Sequence, residues 1–242
     1  ARLMEQGIDA RARILGRIRR GLKRDALPES VTTGLLDRLK AHPRNLVPER
    51  GRTPRERRVE TFIAELEKEY GTVARAASEA EIPGLIAEYL AQRNLPAELR
   101  VAPDPLLQYL PWTDRPMLRV AFGRAEPTDP VSVTPCFAAV AETGTMLMLS
   151  GPGHPTTLNI LPDTHIVVLR ASRIVGGYED AFDLIRRDRG GSGDTPTGST
   201  FMPRNVMMIT GPSRSADIEQ TLELGAHGPR QVHVILLEDD AP

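Results

Sequence analysis

The sequence predicts an α/β fold, and three observations predict it. Short apolar runs such as His165–Leu169 (HIVVL) and Val232–Leu236 (VHVIL) have the length of buried strands. Thr53-Pro54-Arg55-Glu56 combines an N-cap, a first-turn proline and a capping-box glutamate, which together start a helix. Between Asn205 and Glu238 the pattern reads strand, tight loop, helix, turn, strand, the order of a βαβ unit. In that stretch Val206–Ile209 is the first strand and Ser213 or Ser215 caps the helix. Ile218 and Leu222 form the helix face, Gly225 its C-terminal glycine, and Gln231–Leu237 the closing inner strand.

Taken in order, Ile8–Lys23 has Ile14, Leu15, Ile18 and Leu22 at helical spacing among five arginines. Leu27–Arg52 is broken by Pro28, Pro43 and Pro48, with room for a helix over Thr32–Lys40. After the helix start at Thr53, Val59, Phe62, Ile63 and Leu66 make a buried stripe that Gly71 ends. Thr72–Arg75 is a strand. Ser78 opens a helix with Pro83 in its first turn and Leu85, Ile86, Tyr89 and Leu90 on its apolar face. Leu99–Ala102, Leu118–Phe122, Val131–Val133, Phe137–Ala141 and Thr145–Leu149 follow as strands. His165–Leu169 is a central strand, Tyr178–Arg186 a helix, and Arg189–Thr200 a Gly/Ser/Thr/Asp-rich loop.

A chain of 242 residues forms one large α/β domain or two small ones. Apolar residues at 40% and charged residues at 26% are ordinary for a water-soluble protein. No apolar run approaches the ~20 residues of a membrane span, and the first residues are not a signal peptide, so a cytoplasmic location is expected. The single cysteine, Cys136, excludes an internal disulfide and a self-contained iron–sulfur cluster, which takes about four thiolates. Residues 1–58 carry sixteen Lys and Arg against seven Asp and Glu, and the remainder fifteen against twenty-five. A basic arm on an acidic body suits nucleic acid or an acidic membrane surface, or more plainly an acidic partner chain or its own body. Aromatics at 4% argue against nucleic acid, because stacking platforms are scarce.

Two stretches concentrate polar chemistry. The first is Thr210, Gly211, Pro212, Ser213, Arg214, Ser215, Ala216, Asp217, Ile218 and Glu219. At a helix N-terminus, unpaired N–H groups and the dipole favour an anion, and Arg214 adds a bidentate donor. The other reading makes Ser213 and Ser215 plain caps, with Asp217 and Glu219 complementing the dipole and pairing with Arg214. Neither GxxxxGK[ST] nor GxGxxG occurs, which argues against a nucleotide loop of either kind. The second stretch is Ala141-Glu142-Thr143-Gly144-Thr145 between apolar strands. There a carboxylate beside a glycine turn serves as base, nucleophile or hydroxyl-binding group, or simply as an exposed turn residue. Ser150–His154 is a glycine turn with the same ambiguity. His42, His154, His165, His227 and His233 have no metal-ligand spacing; His165 and His233 fall in strands and read as core. His227 follows the expected helix, where a cation is favoured, and Cys136 reads as a small buried group.

The residues AETGT (Ala141–Thr145), ITGPSRSADIEQTLELGAHGP (Ile209–Pro229) and VHVIL (Val232–Leu236) together resemble the LUD domain family, in its lactate-utilization C branch. ILGRIRRGL (Ile14–Leu22), the SGPGHP loop and the HIVVL strand fall in the same order, so the resemblance covers most of the chain. It implies a three-layer α/β/α sandwich similar to ribose-5-phosphate isomerase, glucosamine-6-phosphate deaminase and CoA-transferases. On that basis residues 1–52 are a basic helical and extended arm, and 53–242 the LUD α/β domain. It also implies a part in oxidising L-lactate to pyruvate within a three-component cytoplasmic system. The other two components, the partners, carry the iron–sulfur cysteines; this chain is the cluster-free one, with no cofactor of its own. Glu142 is then the candidate catalytic group. Thr143, Gly144, Thr145, Thr210, Gly211, Ser213, Arg214, Ser215, Asp217, Glu219 and His227 are candidates to bind a small carboxylate or phosphorylated ligand. The alternative is an acyl- or CoA-transferase-like, or sugar-phosphate isomerase-like, enzyme using Glu142. Against it, Thr143 stands where such transferases carry Asn.

Overall fold

Six parallel strands form the largest of the described sheets. The structure is a computed structural model, and it describes residues 2–23, 26–189, 202–216 and 222–239. The chain divides into two compact units, Ala1–Asn45 and Leu46–Pro242. The first contains helices α1 (Arg2–Gly21) and α2 (Glu29–Ala41). His42 stops α2 in a left-handed conformation (φ 43°), its N–H returning to Arg38 O.

The second unit opens with a 3₁₀ turn, Glu49–Arg52, and helix α3 (Arg55–Lys68). Strand β1 (Thr72–Ala76), helix α4 (Ile82–Gln92), strand β2 (Glu98–Val101), the short helix α5 (Pro105–Gln108) and strand β3 (Arg119–Phe122) follow. Next come β4 (Val131–Pro135), β5 (Ala138–Val140), β6 (Thr145–Leu149), β7 (Thr164–Arg170), β8 (Ile174–Val175) and helix α6 (Tyr178–Arg189). The chain closes through β9 (Val206–Ile209), β10 (Arg214–Ala216), β11 (Leu222–Leu224) and β12 (Gln231–Leu237).

The parallel sheet has the order β1-β12-β7-β4-β2-β3. A second sheet runs β8-β5-β6-β9, and β10 and β11 pair antiparallel by themselves. Side-chain alternation on the strands sorts the core into layers. Val131, Val133, Ile166, Val168, Ile235 and Leu237 face Ile82, Ile86 and Leu90 of α4. The opposite face, with Val167, Leu169, Val234 and Leu236, packs on Phe62 and Leu66 of α3 and on Ala139, Ala141, Met146 and Met148 of the small sheet. The far side of that small sheet (Ala138, Val140, Leu147, Leu149) is covered by Ala181, Leu184 and Ile185 of α6. Helices thus flank a mostly parallel sheet, as the expected α/β sandwich requires. β7 is interior and buried on both faces, which is why it reads as an unbroken apolar run.

Three local expectations need correction. First, α3 starts at Arg55 with Pro54 at the cap position, and no capping box closes it. Thr53 donates its hydroxyl backwards to Arg50 O (2.8 Å), so the preceding 3₁₀ turn takes the group that was to cap the helix. Secondly, Gly71 is not the left-handed residue that ends α3. Tyr70 is (φ 66°), with Tyr70 N–H donating to Glu67 O and Gly71 N–H to Leu66 O, a Schellman turn displaced by one residue.

Thirdly, Asn205–Glu238 is not a βαβ unit. β9 pairs antiparallel with β6 in the small sheet, whereas β12 lies in the large one. Where the helix was expected, Arg214–Ala216 pairs with Leu222–Leu224 as a hairpin. The backbone explains the difference: Ser213 N–H donates to Pro229 O and Gly225 N–H to Ser213 O, which commits Ser213 to a cross-strand partner. Leu222-Glu223-Leu224 alternates with period two, so it serves a strand as well as a helix face. The expected loop over Arg189–Thr200 lies, from residue 190 onward, outside the described residues. Among the described residues, no helix is long and apolar enough to cross a membrane.

Candidate functional site

The β5–β6 hairpin presents Glu142-Thr143-Gly144 as its turn, and the reason is steric. Gly144 holds φ 64°, and a Cβ there would stand 2.4 Å from Leu66 N, so α3 lies directly against the turn. Glu142 N–H donates to Gly176 O (3.1 Å), which ties the turn to the start of α6. The Glu142 side chain is only 7% exposed, and its Oε1 accepts from Arg50 Nε at 2.9 Å. Its Oε2 lies 2.7 Å from where a Cβ on Gly51 would be, and a Cβ on Gly176 would lie 2.4 Å from Gly51 O. The Glu49–Arg52 turn therefore sits over the carboxylate, and glycine at 51 and 176 is what lets it close.

Beside Glu142 lies a cluster of four hydroxyls. Thr145 Oγ1 is 2.6 Å from Thr210 Oγ1, 2.7 Å from Thr143 Oγ1 and 3.0 Å from Tyr178 OH. Thr143 Oγ1 and Tyr178 OH are 3.1 Å apart. A hydroxyl offers one donor and two acceptor positions, so Thr145, with three partners, is saturated. Spare capacity for a ligand belongs to Thr143, Thr210 and Tyr178. Thr145 is 1% exposed, so Thr145→Val strands three polar partners and is expected to cost about 1–3 kcal/mol in denaturant unfolding. Thr145→Ser should cost far less; equal stability of the valine variant and the parent would show that the cluster contributes nothing.

The Thr210 loop is held from the other side by α3. Gly211 has φ 84°, and a Cβ there would lie 2.4 Å from Glu69 O. Ser213 Oγ accepts from His227 N–H (3.3 Å), so His227 reaches the loop by its backbone while its side chain is exposed. Arg214 pairs with Glu69 and lies 4.8 Å over the ring of Tyr70. Ser215 stands opposite Glu223 in the hairpin, and Asp217 and Glu219 lie outside the described residues. With the hairpin in place of a helix, the expected anion site at a helix N-terminus is lost. The guanidinium of Arg214 is what remains of it.

Other polar candidates behave as structure. His165 is fully buried, its Nε2 2.7 Å from Thr134 Oγ1, and burial pushes its pKa down to about 3. His233, with Nδ1 2.8 Å from Thr72 Oγ1, is pushed down to about 4, also chiefly by burial. Cys136, half-buried, donates to Ala138 O at 3.0 Å, and desolvation raises its thiol to about 12, which disfavours the thiolate. His154 Nε2 lies 3.4 Å from Asp104 Oδ2 in the glycine turn. Among the described residues, no three His, Cys, Asp or Glu side chains are placed to hold a metal ion.

Residues 59–237 match the LUD domain family along most of this second unit. The chain belongs to the LUD domain family. It is 36% identical over 109 residues to lactate utilization protein C of Bacillus subtilis (strain 168), covering 45% of this chain and 42% of that protein. Its identity to lactate utilization protein C of an Exiguobacterium species is 36% over 110 residues, 45% and 44% of the two chains. An uncharacterized protein of Neisseria meningitidis serogroup B is 34% identical over 101 residues, 42% and 39% of the two. The LUD chain matches about two fifths of the length of these curated relatives. A DUF162 family protein from Deinococcus radiodurans has the same fold in its crystal structure. It superposes with a TM-score of 0.54 at 22% identity, over 76% of this chain and 99% of that one.

Sequence reasoning missed Tyr178, Arg50 and Glu69 at this candidate site. Arg50 lies 92 positions from Glu142, and Glu69 lies 145 from Arg214. No periodicity reports contacts of such separation. Tyr178 did carry a signal: a tyrosine directly after Gly176-Gly177, at the first position of α6.

Proposed function

We propose that this LUD chain is the cluster-free component of a system that oxidises L-lactate to pyruvate, contributing ligand or partner binding rather than electron transfer. Relatives named lactate utilization protein C support the pathway. The single cysteine, a half-buried thiol, supports leaving the iron–sulfur chemistry to partner subunits. The observation that carries the binding role is the 2.6 Å contact between Thr145 and Thr210, which joins the AETGT turn to the Thr210 loop. Around it, Thr143, Tyr178 and Thr210 offer hydroxyls to a small carboxylate or phosphorylated ligand, and Arg214, further along the Thr210 loop, offers a guanidinium. Acyl transfer by Glu142 is the weaker reading. Arg50 occupies one carboxylate oxygen and the Gly51 backbone crowds the other, so a thioester would first have to displace the Glu49–Arg52 turn.

Deleting the gene in a strain without a second lactate system is expected to abolish growth on L-lactate as carbon source and to leave growth on pyruvate intact. Unimpaired growth on lactate would remove the pathway assignment.

A further inference from the structure

We infer that a cleft at the amino ends of β1 and β12 binds an anion bearing a flat aromatic body, of the nucleoside phosphate class; this deepens the ligand-binding role proposed for the Arg214 loop. The cleft encloses about 550 Å³. That is the size of a small-molecule site and well beyond what a three-carbon acid fills. Its walls include Tyr70, Tyr89 and Leu224, and three arginines, Arg93, Arg214 and Arg230; none of its described lining residues is acidic.

One aromatic wall is fixed before any ligand arrives. Tyr89 is backed by the ring of His233, 3.9 Å away and within 9° of parallel, and its hydroxyl donates to Gln231 Oε1 at 3.2 Å. The low pKa of His233 keeps that ring neutral at physiological pH. Tyr70 forms the opposite lip in a left-handed backbone conformation (φ 66°), 70% exposed. That conformation belongs to the Schellman turn ending α3, which is what carries the ring out to the lip of the cleft.

The guanidinium groups are arranged along the same walls. Arg214 is held by Glu69 and stacked on Tyr70, and Arg93 lies 5.8 Å from the Tyr89 ring centroid. Arg230, 62% exposed, makes only a loose 3.8 Å pair with Asp163. Planar N–H forks match phosphate oxygens, and three of them exceed what one carboxylate neutralises. The exposed Tyr70 ring takes a base by stacking, which is independent of base identity, while Tyr89, only 7% exposed, lines the floor. A phosphate-rich ligand with an aromatic body answers both features, and lactate answers neither.

Isothermal titration of the purified chain with ADP, adenosine, inorganic phosphate and L-lactate tests this. ADP should bind at least about tenfold more tightly than any of the other three, and more weakly as salt is raised. Arg93→Gln and Arg230→Gln, both at exposed positions, should each reduce ADP affinity about five- to tenfold with an unchanged melting temperature. Tyr70→Gly keeps the turn but removes the ring, so it should lower ADP affinity towards that of phosphate. Absence of ADP binding, phosphate binding as tight as ADP, or full affinity in an Arg93→Gln/Arg230→Gln double variant would each overturn the inference. The readout does not depend on lactate growth. Lost growth without ADP binding sinks the cleft alone, and ADP binding with unimpaired growth sinks the pathway reading alone.

Discussion

Gly144→Val is expected to yield no folded protein, and Gly144→Ala to lose about 3–5 kcal/mol of stability, near the upper end for a single substitution. Two penalties combine. A left-handed backbone costs a residue with a Cβ roughly 1–2 kcal/mol, and φ at Gly144 is 64°. The larger penalty is contact with main chain: the added carbon would meet Leu66 N at 2.4 Å and Leu66 Cα at 2.8 Å. Backbone cannot rotate away as a side chain can, so α3 itself must move and draw its fully buried Phe62 and Leu66 out of the core. Gly123 is the internal comparison, with φ 138° but nothing within 4 Å of an added Cβ. Gly123→Ala should therefore cost only the conformational part, about 1–2 kcal/mol. Urea unfolding of the two alanine variants checks the contrast; equal losses would mean that the approach of α3 is not what demands glycine.

The second large effect is with pH. His165 and His233 titrate at about 3 and about 4 in the folded chain, against ~6.5 for an unperturbed imidazole. The unfolded chain therefore binds these two protons first. Stability is full above the unfolded value and falls as pH drops from about 6.5 towards the folded values. Between pH 6 and pH 4.5 the two rings together should remove about 3–4 kcal/mol, a large part of a typical 5–15 kcal/mol. His233→Phe keeps an aromatic ring against Tyr89 and should remove about half of that loss. Carboxylates that titrate in the same window are common to both proteins and cancel in the comparison. Unfolding free energies at the two pH values provide the check, and a parent protein equally stable at both would contradict it.

Much of this fold is local information. β7 announces itself because both of its faces are buried, and Pro83 stands in the first turn of α4 because only there is its missing N–H harmless. The AETGT turn is legible for the same reason, since a glycine between two apolar strands marks a backbone that must turn sharply. Pairing is another matter. β9 and β12 are near neighbours in sequence yet belong to different sheets, and that choice is made by β6 and β7. The hairpin in place of a helix after Thr210 depends on Ser213 pairing with Gly225 and Pro229, a long-range decision that the capping serines do not reveal. The site was legible in its loops and illegible in what closes them. Arg50 on Glu142 and Glu69 on Arg214 join residues that share no pattern until the chain has folded.

Helix α3 also limits how this chain is free to change in length. Its Leu66 backbone meets Gly144 and the backbone of its C-cap, Glu69, meets Gly211, so the last turn of the helix sets the spacing between two loops. An insertion or deletion inside that interval would turn one contact about 100° away from the other and shift it by about 1.5 Å. Substitutions on the outer surface of α3 leave the interval intact. The helix is a gauge: its outer face is open to variation, but its count of residues is not.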